Sequence, residues 1–530
     1  MAEPRIVFTT TCKGRLQHLC QTLPKNIIDN ADYPNAKFVV LDYGDQGGLD
    51  SYLRSAHAAD IQSGKLAVYR FETTEPFHVA HAKNIAARCG ILEGADILVT
   101  LDADNYTGPG FARFIADKFR DYRDRGVWGF FLCPNYVLIQ SLPHGPSRPQ
   151  RGYAGRLAIR AQDFVKMGGY DETFSTWRGE DIDLVCRLRR LGYAMRHIDN
   201  RYLNTIAHSG DVRFKEYPEA RQYERKEEFK IIDSRTETVV NYGKFGLGSV
   251  YRDFAPEPIE LAPVPTRIFG IGMHRTATTS LHAAFQILGF DSFHWGEGEA
   301  PLIWDEMTSL GRSKTLERWY ALSDLPIPLL YQKLDQVYPG SKFILTVRNE
   351  DDWLKSVERL WSYEYNPTRH LWDVYPFSNR IHTELYGQQT FDAAVFLDRY
   401  RRHNAEVREY FRQRPDDLLV MDIDAGSKWR NLCGFLAVPT PTVPYPNQTP
   451  STFKDDWLWG SGEDHPHFMP TYALEEKPIP LLFTPPLPAP AKHPTPTSLT
   501  RNPVFWKLSC AVLAFVILWL ITLILLARKG

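Results

Sequence analysis

The stretch ADILVTLDADN (residues 95–105) sets an apolar run, 97–101, directly against two carboxylates, Asp102 and Asp104. Such a run reads as a buried strand, and acids at the carboxyl end of a buried strand lie at the crevice where open α/β sheets bind ligands. With a side-chain period of two, Asp102 and Asp104 share a face. A pair of this kind suits a hard divalent cation bridging a nucleotide diphosphate, with one carboxylate able to meet a ribose instead. The same residues could equally close an acidic strand-to-turn junction with Asn105 and Gly108.

Upstream, residues 5–10, 37–42 and 66–71 read as strands and 16–28 and 81–92 as helices, an alternation that predicts an α/β sheet. Downstream, MGGYDETFSTWRGEDIDLVCRLRRLGY (167–193) places Glu180, Asp181 and Asp183 just before an amphipathic helix predicted over 184–191. One acid would complement a helix N-terminus. Three of them, after Gly168, Gly169, Trp177 and Gly179, suggest an acceptor pocket with a base at its floor. His208, in TIAHSG beyond a strand-like 202–206, is either structural or a third partner for two carboxylates around Mn2+.

Taken together, Asp102-Ala103-Asp104, the run Trp177 to Asp183 and His208-Ser209 resemble the inverting nucleotide-sugar glycosyltransferases of the GT-A fold, over most of 5–215. The segment 167–193 is most similar to the C-terminal part of galactosyltransferases and chondroitin-type polymerases. The resemblance implies that Asp104 and His208 ligate Mn2+ or Mg2+, with Asp102 near the ribose or the metal. It implies Asp181 as general base, with Glu180 beside it, and Thr9, Asp42 and Asn84 around the nucleoside. Arg178 stands where that family often has glycine.

A second phosphate-holding device follows in RIFGIGMHRTATTSLHAAFQILGF (267–290), read as a strand over 267–271, a loop over 272–278 and a helix to 288. Unpaired backbone N–H groups and the helix dipole make such a turn a phosphate cradle. It is not a Walker A loop, because Ala277 and Thr278 replace the second glycine and the lysine. In KFILTVRNEDDWLKSVERLW (342–361) another strand ends at Arg348, with Ser356 on the next helix, and together they could clasp one further phosphate. Arg348 could instead pair with Glu350 or Asp351.

These two stretches resemble sulfotransferases that use 3′-phosphoadenosine 5′-phosphosulfate (PAPS), over 267–435. The likeness implies a P-loop-type α/β domain. Arg275, Thr276, Thr278, Thr279 and Ser280 would hold the 5′-phosphosulfate, and Arg348 and Ser356 the 3′-phosphate. Ala277 adds a Cβ where that family has glycine. His294, Glu297 and Asp324 are the candidate bases for sulfuryl transfer.

The length of 530 residues, 24% charged and with a formal net charge of −1, describes globular domains with no field for nucleic acid. Seven scattered cysteines read as free thiols. The expected organisation is a GT-A domain at 1–254, a linker at 255–266, a sulfotransferase-like domain at 267–445, a proline-rich linker at 446–503 and a transmembrane tail anchor at 504–530. The uncharged run 508–527 is long enough to span a bilayer, which predicts a single-pass membrane protein with cytoplasmic catalytic domains. The expected function is bifunctional, with metal-dependent sugar transfer to a glycan or glycolipid and sulfation from PAPS. The alternative is an active glycosyltransferase carrying an inactive sulfotransferase-like scaffold.

Overall fold

In a computed structural model the described residues are 3–125, 127, 129–134, 155–174, 179–206, 232, 235–295, 298–366, 369, 372 and 376–447. Among them, the first sheet has nine strands: β1 (Ile6–Cys12), β2 (Ala36–Asp42), β3 (Leu66–Phe71), β4 (Ile97–Leu101), β5 (Phe130–Cys133), β6 (Arg156–Arg160), β7 (Ala194–His197), β8 (Gly248–Arg252) and β9 (Pro258–Leu261). Their order is β7-β5-β6-β4-β1-β2-β3-β8-β9. The centre, β4-β1-β2-β3, is parallel, and β6 and β8 flank it antiparallel. Alternate residues of β1 serve two cores. Val7 packs with Val39, Leu41, Ile85 and Cys89, while Phe8 packs with Phe38, Val40, Leu19 and Phe111. Burial on both faces is why these strands read as continuous apolar runs. The chain winds from β1 out to β3 and returns at β4 on the other side of β1, so the crevice opens between the carboxyl ends of β1 and β4.

The second sheet is wholly parallel, with β10 (Ile268–Gly270), β11 (Ser292–His294), β12 (Ala321–Ser323), β13 (Lys342–Val347) and β14 (Leu418–Asp422) in the order β11-β12-β10-β13-β14. Here the order reverses between β10 and β13. The loop after β10 and the residues after β13 therefore face each other across the crevice.

Three local expectations change. The acids at 180–183 form the first turn of helix Glu180–Arg190 rather than preceding it. Residues 202–206 are not a strand but a 3-10 turn, Asn200–Tyr202, followed by a single bridge from Thr205 to Asn105. Within 255–266, β9 pairs with β8 and closes the sheet edge. Pro258 begins that strand, an edge position that tolerates a missing N–H.

The stretch after β9 is tied down on both sides. Arg88 donates to the carbonyls of Leu261 and Ala262, and Thr266 donates to those of Gly340 and Pro339. One apolar cluster runs through both sheets, joining Phe164, Leu188 and Tyr193 to Phe285, Leu288 and Tyr320. Charges cross the seam as well. Asp291 accepts from Arg160 (3.0 Å) and Lys166 (3.1 Å), and Arg267, wholly buried, donates to the carbonyls of Lys166 and Glu317. The six described cysteines carry no disulfide.

Among the described residues no helix is long and apolar enough to cross a membrane. The longest, Ala393–Tyr410, carries Asp398, Arg399, Arg401, Arg402 and Glu406. The run 508–527 and the proline-rich 478–503 lie outside the described residues. The architecture is corrected accordingly to two α/β units without a spanning helix among the described residues, and the single-pass anchor, the membrane location and the cytoplasmic placement argued from it are withdrawn.

Two outcomes follow for the seam. Arg267→Met should lower unfolding stability by about 3 kcal/mol, with ellipticity and tryptophan fluorescence still coinciding in one denaturant transition. Burial would raise the Asp163 carboxyl, but Arg160 and Lys166 hold it down at about 2. This depressed acid stabilises the fold fully above about pH 4 and loses that contribution as pH falls toward 2, an increment of about 2 kcal/mol that Asp163→Asn should remove from the acid-unfolding curve.

Candidate functional site

At the first crevice, helix Val79–Leu92 brings Lys83 under the end of β4 while helix Glu180–Arg190 brings its first turn over it. Lys83 Nζ lies 2.8 Å from Glu180 Oε1, 2.9 and 3.0 Å from the two oxygens of Asp181, and 3.7 Å from Asp102 Oδ1. Burial alone would drive this lysine toward neutrality, but Asp181, Glu180 and Asp102 outweigh it and hold the ammonium well above the ordinary lysine range. Asp181 is pushed up to about 8, by burial first and then by Glu180 and Asp102, with Lys83 opposing. Asp102 is raised by burial too, again against Lys83. Gly155 closes over Asp102, since a Cβ there would sit 1.8 Å from Oδ2.

Asp104 anchors the chain that leads toward His208. Its carbonyl accepts from the Ile206 N–H (2.8 Å) and from Thr205 Oγ1 (3.0 Å). His208 lies outside the described residues, as do Ser209, Trp177 and Arg178. Among the described residues no three His, Cys, Asp or Glu side chains are arranged to hold a metal ion.

The nucleoside candidates divide. Asp42 ends β2 at the crevice side of the sheet, its carboxyl raised to about 6 by burial. Thr9 is mid-strand and buried, with its methyl against the helix where Gly90 lacks a side chain. Asn84 is spent within the fold: its amide donates to Tyr170 O and Glu172 Oε1 and accepts from Tyr170 N–H, all at 2.8 Å. The side chain that enters the site is its neighbour Lys83.

At the second crevice, β10 runs into the loop and then into helix Thr278–Ile287, whose N-cap, Ala277, makes no side-chain cap hydrogen bond. Gly272 is required there, because a Cβ would sit 2.0 Å from Thr346 Oγ1 on β13. Thr276 is turned inward, donating to Met273 O and sharing a hydrogen bond with Thr346 (both 2.6 Å). Arg275 Nε donates to Ser356 Oγ at 2.9 Å, joining two residues expected to hold opposite ends of the donor. Its guanidinium is lowered by burial and by repulsion from Arg348 and Arg359, with Asp324 opposing. Glu350 pairs with Arg401 rather than with Arg348. Arg348 and Arg359 are thus the cations that bear on Arg275.

The pairing of β11 with β12 sets His294 opposite Ser323, beside Asp324. His294 Nε2 lies 3.2 Å from Asp324 Oδ2, 3.1 Å from Thr278 Oγ1 and 3.4 Å from Thr279 Oγ1. Burial would raise Asp324, but the hydrogen bond and charge of His294 hold it at about 2. Two of the three candidate bases thus meet at the loop. Glu297 lies outside the described residues.

Residues 267–452 match the family described as sulfotransferase domain, and residues 138–209 match that described as N-terminal domain of galactosyltransferase. The chain joins a glycosyltransferase domain to a sulfotransferase domain. It is an enzyme. A curated relative, Ava biosynthesis cluster protein M of Aspergillus versicolor, is 24% identical over 211 residues, covering 34% of this chain and 80% of that protein. Similar solved structures include the mannosyltransferase PcManGT from Pyrobaculum calidifontis in complex with GDP-Man and Mn2+ (TM-score 0.30, 19% identity, 44% of this chain and 68% of that one). GalNAc-T7 with UDP, GalNAc and Mn2+ is another (TM-score 0.28, 16% identity, 37% and 42%). Likenesses this distant carry neither donor nor acceptor across.

In the sulfotransferase domain Ala277 adopts φ 62° and ψ 35°, the left-handed region that glycine occupies without strain. Ala277→Gly should therefore raise stability by about 1 kcal/mol, read as a higher urea midpoint at unchanged slope. In the glycosyltransferase domain the overlooked residue was Lys83, whose only sequence signal is its place on the helix next to Asn84. In the sulfotransferase domain it was Arg359, three residues after Ser356 and so on the same helix face.

Proposed function

We propose that the glycosyltransferase domain moves a sugar from a nucleotide-sugar to a glycan or glycolipid hydroxyl, and that the sulfotransferase domain moves a sulfuryl group from PAPS to a hydroxyl of the same or a related glycan. The observation that carries this reading is the opposite chemistry at the two sheet reversals. Carboxylates gather around Lys83 at one, and arginines gather with a histidine–aspartate pair at the other.

In sugar transfer Asp181 takes the proton of the acceptor hydroxyl as its oxygen attacks the anomeric carbon. The bond to the nucleoside diphosphate breaks on the opposite face, which inverts the centre. Asp102 and Asp104 are hard oxygen donors of the kind that would hold Mn2+ or Mg2+. When bound there the cation supplies charge stabilisation for the leaving diphosphate. Asp42, at the end of β2, would meet the nucleoside side of the donor.

In sulfuryl transfer the acceptor oxygen attacks sulfur in line, the sulfur–oxygen bond to adenosine 3′,5′-bisphosphate breaks, and the hydroxyl proton passes to the His294–Asp324 pair, which meets at His294 Nε2. The amides of 278–280, with Thr278, Thr279 and Ser280, face the transferring group. Arg275, Arg348, Arg359 and Ser356 offset the phosphate charge. The inactive-scaffold alternative is favoured by the Cβ of Ala277 and by a base left unassigned among His294, Glu297 and Asp324. The backbone at 277 takes the glycine-like conformation and a base pair stands at the loop, which favours activity.

Labelled-donor assays on the full chain test both halves at once. Asp181→Asn should cut sugar transfer by about 100-fold or more and leave sulfation intact, and His294→Ala should do the reverse. Sulfation unaffected by His294→Ala and by Arg348→Ala would defeat the sulfotransfer reading.

A further inference from the structure

Three acids from two separate elements converge on one lysine in the glycosyltransferase domain. Asp102 follows β4 on the donor side of the crevice, whereas Glu180 and Asp181 open the helix on the acceptor side. The Lys83 side chain is 4% exposed, Glu180 6%, Asp181 15% and Asp102 38%, so the cluster is closed below and opens toward Asp102 and Asp181.

An ammonium has three protons, and three short contacts use them: one to Glu180 at 2.8 Å and two to the paired oxygens of Asp181 at 2.9 and 3.0 Å. Asp102 stands further from the ammonium, at 3.7 Å. Gripped through both oxygens, the Asp181 carboxylate is fixed in rotation and remains partly exposed. A planar guanidinium would favour one carboxylate in a two-point contact, whereas a compact ammonium reaches acids arriving from different directions.

Resting on the assignment of Asp181 as base, we infer that Lys83 is the positioning residue of sugar transfer: its ammonium fixes the Asp181 carboxylate toward the acceptor hydroxyl and ties the acceptor helix to the donor-side Asp102. It touches neither reacting atom and acts through Asp181. Its countercharge also lets Glu180 lie buried beside Asp181, so one side chain sets both the orientation and the spacing of the acids.

The test is a double-mutant cycle on the full chain, measuring nucleoside diphosphate release from a panel of UDP- and GDP-sugars with Mn2+. Lys83→Met should lower kcat by about 100-fold while donor KM stays within about threefold, Lys83→Arg should recover part of kcat, and Lys83→Met/Asp181→Asn should be no slower than Asp181→Asn alone. A merely structural lysine would show instead as lost soluble protein and as losses that multiply in the double variant. The double variant, relieved of one acid, keeps the test open if Lys83→Met folds poorly. A near wild-type kcat in Lys83→Met, or multiplying losses, overturns this inference while leaving the base assignment standing. Unimpaired transfer by Asp181→Asn overturns the assignment, and the inference with it.

Discussion

The parallel pairing of β1 with β4, and of β10 with β13, is the constraint on which the rest depends. In each sheet these neighbours are strands between which the winding reverses, so the connections leave in opposite directions and a gap stays open at the carboxyl ends. Whatever follows β4 or β13 in the chain is delivered to that gap. Asp102 follows the first and Arg348 the second. The helices packed against the same strands then decide which side chains join them: Lys83 from beneath β1, Asp181 from across the crevice, and Ser356, which meets Arg275 of the loop.

The two crevices use charge in opposite ways. In the first, three acids, Asp102, Glu180 and Asp181, surround one ammonium. In the second, Arg275 stands with Arg348 and Arg359 near Asp324, which is engaged with His294.

Much of this was legible in residue order. The apolar runs at 66–71 and 97–101 coincide with β3 and β4, and the loop before helix Thr278–Ile287 lies as its glycines and threonines suggest. What stayed hidden depends on tertiary pairing. Lys83 resembles any helix lysine until Glu180, nearly a hundred positions away, folds onto it. Asn84 and Thr276 carry the right chemistry but donate or accept inside the fold. Residues 202–206 have strand composition but find only one bridge, and prolines at 255–266 suggested a spacer where an edge strand can begin with one. His294 and Asp324 were both visible, but only the register of β11 with β12 makes them a pair.

The buried charges at the seam bear on how such a chain can change over generations. Asp291 answers Arg160 and Lys166, and Arg267 answers carbonyls on both sides. A replacement partner domain lacking these groups would leave cations stranded in an apolar interior. The two units are thus joined by charge as well as by apolar contact, and a change on one side of the seam calls for a matching change on the other.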